Sequence, residues 1–403
     1  MVCNVADFGA VNDRETLNTR SIQAAIDACA AAGGGTVLLS GGGHYVTGTL
    51  VLRDHITLHI DNGTVLLGSP HVDDYATDTH KNMYRGEPHM DRCLIFAREA
   101  RSISIEGRGV IDGNGQREHF PTIRPMLLRF LNCSDIQMRG VTLTRPAAWT
   151  SAWLYCRNIV VDGVTIHSRA NSNGDGLDFD GCRDVRVSAC SFDTSDDSIC
   201  LQASDPAHPC RDVVITNCTF CSEGAGLRIG LLSRGNIESV AVSNCTFRQI
   251  RDAGLKIQMN EGGHLRNMVF SNLVMEQVPR PIFMTFCQQR ACVDSPEELA
   301  PMRTMRGLSF SNIAIDNAAG DKDSCIVITG LPGHCIEQVT IRNLQMRVAG
   351  GGTLADAHRT DLPEYTPETL AGSWPEFSLI GTLPAHGIYA RHVRGLDLSG
   401  IVI

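Results

Sequence analysis

Short runs of alternating apolar and polar residues, each interrupted by one small or amide residue, recur along the chain. IQMRGVTL, IVVDGVTI, VRVSACSF, VVITNCTF, VAVSNCTF, MVFSNLVM, LSFSNIAI, VTIRNLQM and LDLSGIVI share this form. Their turn residues are Gly140, Gly163, Ala189, Asn217, Asn244, Asn272, Asn312, Asn343 and Gly400, spaced by 23, 26, 28, 27, 28, 40, 31 and 57 residues. A period of two marks strands, and the lack of helical periodicity between them excludes an ordinary βαβ sheet. The first five spacings fit one solenoid coil per repeat, and the longer three require insertions. The pattern therefore predicts an all-β chain, a single-stranded parallel β-helix forming one domain over 1–403. Asn at one turn in five successive repeats predicts a stacked amide ladder, because Asn tolerates the left-handed backbone and its amide can bond to the next coil.

One segment departs from this alternation toward a helix. Residues 18–32, NTRSIQAAIDACAAA, carry an Asn/Thr cap, apolar residues at helical spacing and a glycine stop at Gly33 to Gly35. Such a helix would cover the open end of the solenoid, where strand edges would otherwise be exposed. Residues 348–384 are rich in Gly, Pro and acids and read as a long loop insertion, a candidate cleft wall. The chain ends on a strand, LDLSGIVI, without a cap, so the natural protein or a packing partner is expected to continue beyond Ile403.

Composition narrows the possible partners. Hydrophobic residues make up 43% of the chain and charged residues 20%, as in soluble proteins. A net charge of −9 argues against nucleic acid or an anionic membrane as a partner, since both need a basic face. An anionic substrate needs only a local cation cluster. No leader-like start and no long apolar stretch is visible, so a cytoplasmic location is expected. The sixteen cysteines lie in strand-like segments, as Cys190, Cys218 and Cys245 do, and read as buried free thiols. CTFC, Cys218 to Cys221, is a lone CxxC and carries little weight as a metal motif.

In a solenoid, residues one coil apart stand above one another. Taking Leu177/Phe179, Ile199/Leu201, Leu227/Ile229 and Leu255/Ile257 as inward pairs places Asp175, Asp197, Ala225 and Ala253 in one column. The column before it holds Gly174, Asp196, Gly224 and Asp252. Those after it hold Asp178, Cys200, Arg228 and Lys256, then Asp180, Gln202, Gly230 and Gln258. Carboxylates thus gather on two adjacent coils, with cations one and two coils further on. Glycoside hydrolysis needs such a set, one carboxyl group to protonate the leaving oxygen and others to activate water. A single Asp in an NGDG stretch is more often a turn or surface residue, so it is the stacking that points to catalysis.

NSNGDGLDFDGCRDV followed by DTSDDSICL resembles the NTDGxD and DD motifs of glycoside hydrolase family 28, the polygalacturonases and rhamnogalacturonan hydrolases. The resemblance extends through DFGAVND, IQAAIDACAAAGGGTV, IDGNG, RPMLL, GVTLTRPAAWT, GLP and GTLPAHGIYARHVRGL. It implies a right-handed, pectin-lyase-like β-helix and an inverting mechanism. Asp196 would then be the general acid, with Asp175 and Asp197 activating water, and neither cofactor nor metal ion would be required. Asn173, Asp178, Arg228, Lys256 and Gln258 are candidate substrate-binding residues, and the expected partner is an oligosaccharide, with uronic acid among its sugars as one option.

Two motifs of the family are altered. The GHG motif becomes Gly224-Ala225-Gly226, and RIK becomes Lys256-Ile257-Gln258. Arg228 and Lys256, in one column, would have to replace the lost pair as a carboxylate clamp, or else pair with Asp178 or solvent. The expected substrate is accordingly a branched or mixed pectic oligosaccharide, such as a rhamnogalacturonan fragment, cleaved in exo fashion, rather than plain homogalacturonan. Trp149 and Trp153 could stack on a sugar or pack internally. His71, His80, His89, His119, His264 and His358 lie in loops and are weak candidates for the cleft edge. Two other readings remain at this point, a calcium-dependent polysaccharide lyase with Asp175, Asp197 and Asp178 as oxygen ligands, and a glycan-binding solenoid that has lost catalysis.

Overall fold

The computed structural model describes residues 1–79, 90–287, 301–320, 322–370 and 373–403. The chain divides into two compact units, Met1–Asp196 and Asp197–Ile403.

In the first unit each coil contributes three strands. Met126–Leu131, Ser134–Arg139 and Thr142–Thr144 make up one coil. Each pairs in parallel with its equivalent in the next coil, at Ser151–Leu154, Arg157–Asp162 and Thr165–Ser168. The coil after that, Leu177–Asp180, Arg183–Ser188 and Ser191–Thr194, continues the same pairing. Inward positions stack like on like, so Phe130, Trp153 and Phe179 form one aromatic column with ring centroids 4.5 and 5.6 Å apart. Trp153 is fully buried in that column, and packing is therefore its role rather than sugar stacking.

The expected helix is Thr19–Ala31, and it buries Ile22, Ala25, Ile26 and Cys29. Its side chains reach the first coils, with Gln23 Nε2 donating to the Val51 carbonyl at 3.0 Å. The Asn18 side chain does not cap the helix. It bonds instead to both the amide and the carbonyl of Val11, at 2.7 and 2.9 Å, and so ties down the preceding loop.

The second unit has the same logic with longer strands. Ile199–Ala203, Leu227–Ser233, Ala253–Met259, Arg280–Phe286, Ile326–Thr329 and Ile388–Arg391 pair in parallel, one to the next. A second series runs Ile237–Ile250, His264–Glu276, Thr304–Asn317, Ile336–Val348 and Val393–Val402. The register expected from the sequence holds within this unit. Ile199 pairs with Leu227 and Leu227 with Leu255, while Cys200 pairs with Arg228 and Arg228 with Lys256.

All nine turn residues read from the repeats have positive φ, between 52° and 69°. Asn accepts this conformation at little cost, whereas Ala189 is strained in it. The amide ladder is present: Asn272 donates to Asn244 at 3.1 Å, Asn312 to Asn272 at 3.0 Å and Asn343 to Asn312 at 2.9 Å. Cys133, Cys156, Cys182, Cys190, Cys218 and Cys245 are buried, as read from the sequence. Among the described residues no helix is long and apolar enough to cross a membrane.

The 348–384 insertion is more ordered than a plain loop. It carries two short helices, Leu354–Ala357 and Pro367–Leu370, and a 3-10 turn at Phe377–Leu379. Two aromatics anchor it within the second unit. Tyr365 and Phe377 meet Phe283 edge-on, at 6.2 and 5.9 Å, and the Arg280 guanidinium lies 3.9 Å from the Phe377 ring.

Candidate active site

In the first unit, Asp175 and Asp196 lie on two loops that one hydroxyl joins. Ser195 Oγ accepts from the Gly174 amide at 3.1 Å and donates to the Asn171 carbonyl at 2.7 Å. The residues that follow these contact points are Asp175 and Asp196. Gly174 must be glycine for this approach, because a Cβ there would stand 2.0 Å from the Ser168 carbonyl oxygen. The Asp175 carbonyl accepts from the Thr150 amide at 2.8 Å, and Thr194 Oγ1 donates to the Asp196 carbonyl at 2.6 Å. Sequence reasoning missed Ser195, whose only signal was its place before the DD pair.

The same loop is held from two coils back. Arg124 donates to the Ser172 carbonyl at 2.8 Å and to Asn173 Oδ1 at 2.7 Å, and Asn173 has the left-handed φ of 52° that this loop needs. Asp175, Asp178 and Asp180 are all more than nine-tenths buried, which overturns the surface-residue alternative for them. Buried carboxylates demand polar partners, so their presence among apolar strands points to a site rather than to packing.

Asp197 opens the second unit and is almost fully buried. Its Oδ1 accepts from the Ala225 amide at 2.7 Å and its Oδ2 from Arg228 Nη1 at 3.0 Å. Cys200 Sγ stands 3.8 Å from Oδ2. The backbone amide of Ala225, at the position of the missing family histidine, thus orients Asp197 directly. Arg228 pairs here with Asp197, where the sequence left substrate, Asp178 or solvent as its partner.

Lys256 and Gln258 meet the insertion. Lys256 Nζ donates to Asp252 Oδ2 at 2.6 Å and also to Glu376 Oε2. Burial works against the charge on Lys256, but Asp252 and Glu376 more than offset it and hold its pKa above the ordinary lysine value. Burial likewise works against the Asp252 carboxylate, and the adjacent Lys256, with Arg228 and Arg280, overcomes it and holds that pKa below the usual range. Gln258 Nε2 donates to the Pro375 carbonyl at 2.8 Å. Trp374 lies against Arg228, whose guanidinium carbon is 5.9 Å from the ring centroid. Neither Trp374 nor Glu376 was a candidate from the sequence, since the insertion has no periodicity to align.

Of the loop histidines, His80 and His89 lie outside the described residues. His119 Nδ1 faces the Asn114 carbonyl at 2.7 Å, and His264, which opens the strand His264–Glu276 and is therefore not a loop residue, faces Thr304 Oγ1 through Nδ1 at 2.7 Å. Burial, with nearby arginines, holds the His264 pKa below the ordinary value, and both rings are accounted for by these local contacts.

Comparison with known proteins fits this picture. The family described as glycosyl hydrolases family 28 matches residues 75–360, and the one described as rhamnogalacturonase A/epimerase, pectate lyase-like matches residues 2–143. A probable polygalacturonase of Vitis vinifera is 26% identical over 416 residues, covering 96% of this chain and 84% of that protein. An exo-poly-alpha-D-galacturonosidase of Dickeya chrysanthemi is 26% identical over 442 residues, covering 93% and 72%. The solved structure of a hyperthermoactive exopolygalacturonase from Thermotoga maritima aligns with a TM-score of 0.75 at 19% identity, over 86% of this chain and 87% of that one. The architecture is accordingly the pectate-lyase-like right-handed β-helix that the repeats led us to expect. Because the family 28 match takes in Asp175, Asp196 and Asp197 together with the strands that carry them, this polygalacturonase-like chain belongs to family 28 of the glycosyl hydrolases.

Proposed function

We propose that the chain hydrolyses pectic oligosaccharides with inversion, using Asp196 as general acid and Asp175 and Asp197 to activate the attacking water. The observation that carries this reading is the locking of the aspartates by their surroundings. Ser195 joins the Asp175 and Asp196 loops, and Asp197 is held by two donors. Preorganised carboxyl groups are what such a reaction requires, one to give a proton to the leaving oxygen and others to take one from water.

The family's histidine is replaced by Ala225 and the last residue of its RIK motif by Gln258, which makes this a divergent member. Those replacements favour a mixed pectic substrate over plain homogalacturonan. Relatives named as exo-acting enzymes support removal of terminal units. The test is turnover of defined pectic oligosaccharides, read by mass, with the parent chain and Asp196→Asn. Loss of the general acid should lower kcat by about 10²–10⁴-fold. An unchanged rate would rule out Asp196 as the acid.

A further inference from the structure

Lys256 is on the outward side of its strand, since Leu255 and Ile257 to either side face the interior. An outward lysine is ordinarily solvated, yet this one is only 2% exposed. The segment Trp374-Pro375-Glu376 is what touches this face. Glu376 takes the Lys256 ammonium, Pro375 takes the Gln258 amide, and Trp374 lies by Arg228. Lys256 also stands in one column with Cys200 and Arg228, two strand spacings, about 10 Å, from the strand that follows Asp197. That separation keeps Lys256 close to Asp197 rather than at a remote surface.

We propose that Glu376 is a specificity-determining residue: seated on Lys256, it holds the position that a uronate carboxylate would need, and so reserves the adjoining subsite for a neutral sugar. This inference rests on the reading of the chain as a hydrolase of pectic oligosaccharides. Two features on the same face support it. Arg228 is engaged with Asp197 and Lys256 with Asp252 and Glu376, so these two cations already face three carboxylates. A further carboxylate at Lys256 would have to displace Glu376 from a buried cation, which is costly. The second feature is Gln258. Its Oε1 is buried and has no hydrogen-bond donor among the described residues. A sugar hydroxyl can supply a donor, whereas an ionised carboxylate cannot.

The test is calorimetric binding of two probes, trigalacturonate and its carboxyl-reduced neutral counterpart, to the Asp196→Asn chain, so that neither probe is consumed. The neutral probe should bind at least about tenfold more tightly, a difference of about 1.4 kcal/mol. Adding Glu376→Gln should shift the ratio toward the acidic probe by tenfold or more, while Glu376→Asp, which keeps the charge, should leave it near the starting value. Tighter binding of the acidic probe without any change at 376 would overturn the proposal. So would a failure to bind the neutral probe, or an equal shift in the Gln and Asp variants. Should Glu376→Gln not fold, the ratio measured with Glu376 in place still decides the matter. Failure of the hydrolase reading would appear separately, as no turnover of any oligosaccharide by the unsubstituted chain.

Discussion

At Asp197 two unlike donors share one carboxylate, the rigid amide of Ala225 at one oxygen and the Arg228 guanidinium at the other. Removing the guanidinium would leave a buried carboxylate short of a partner, which typically costs about 3–5 kcal/mol. Arg228→Ala should therefore destabilise the chain by an amount near the lower figure, because Arg228 keeps some solvent access. This loss is measurable by denaturant unfolding. In the mechanism we propose, Arg228 acts on substrate through Asp197, so the substitution should also lower kcat by a similar factor on neutral and acidic oligosaccharides. A KM rise confined to acidic substrates would show instead that Arg228 grips a uronate. Of these contacts the sequence showed the column of Arg228 but not its partner. Column register tells which residues stack, while the direction of a long flexible side chain depends on the charges around it. Trp153 was legible in retrospect, since Phe179, one coil on, was already assigned to the interior.

The turns and the insertion show the same contrast between elements. The nine turn residues read from alternation and spacing are all left-handed, because a positive φ tolerates few residue types and the repeat enforces it in each coil, whereas others such as Asn132, Asn158 and Asp184 went unread. The ladder they support should be cooperative. Asn272 donates to Asn244 and accepts from Asn312, so Asn272→Ala removes two hydrogen bonds and strains a φ of 55°. A loss of about 1–3 kcal/mol follows from one or two bonds at about 1 kcal/mol each plus that strain. Asn272→Gly relieves the strain but not the bonds, so it should be affected less than Ala. No loss in either variant, measured by thermal unfolding, would mean that the amides contribute nothing, and an equal loss in both would mean that the backbone strain contributes nothing. The insertion was legible only as an interruption. Its Gly, Pro and acidic residues carry no period, and the contact from Glu376 to Lys256 spans 120 positions. Nothing local in GSWPEF indicates which coil it meets. Phe283, Tyr365 and Phe377 fix that choice through packing.

For the whole molecule, repeat spacing and the family motifs converge on a β-helical glycosyl hydrolase of family 28. Length and the net charge of −9 constrained this little, whereas the period of about 27 residues constrained it strongly, because a coil of three short strands has few other realisations. The chemistry was legible as a set of aspartates, since carboxylates are conspicuous among apolar strands. What remained hidden was what Ser195, Ala225 and Glu376 each hold, Ser195 the Gly174 amide through its hydroxyl, Ala225 the Asp197 carboxylate through its backbone amide, and Glu376 the Lys256 ammonium from a distant segment. Direct attack by water, with Asp196 protonating the leaving oxygen, makes a definite stereochemical claim about the product. The decisive measurement is proton NMR of the first-formed reducing sugar from an α-linked pectic oligosaccharide, recorded before mutarotation. The β anomer should appear first, and initial appearance of the α anomer would contradict the three-aspartate inverting mechanism.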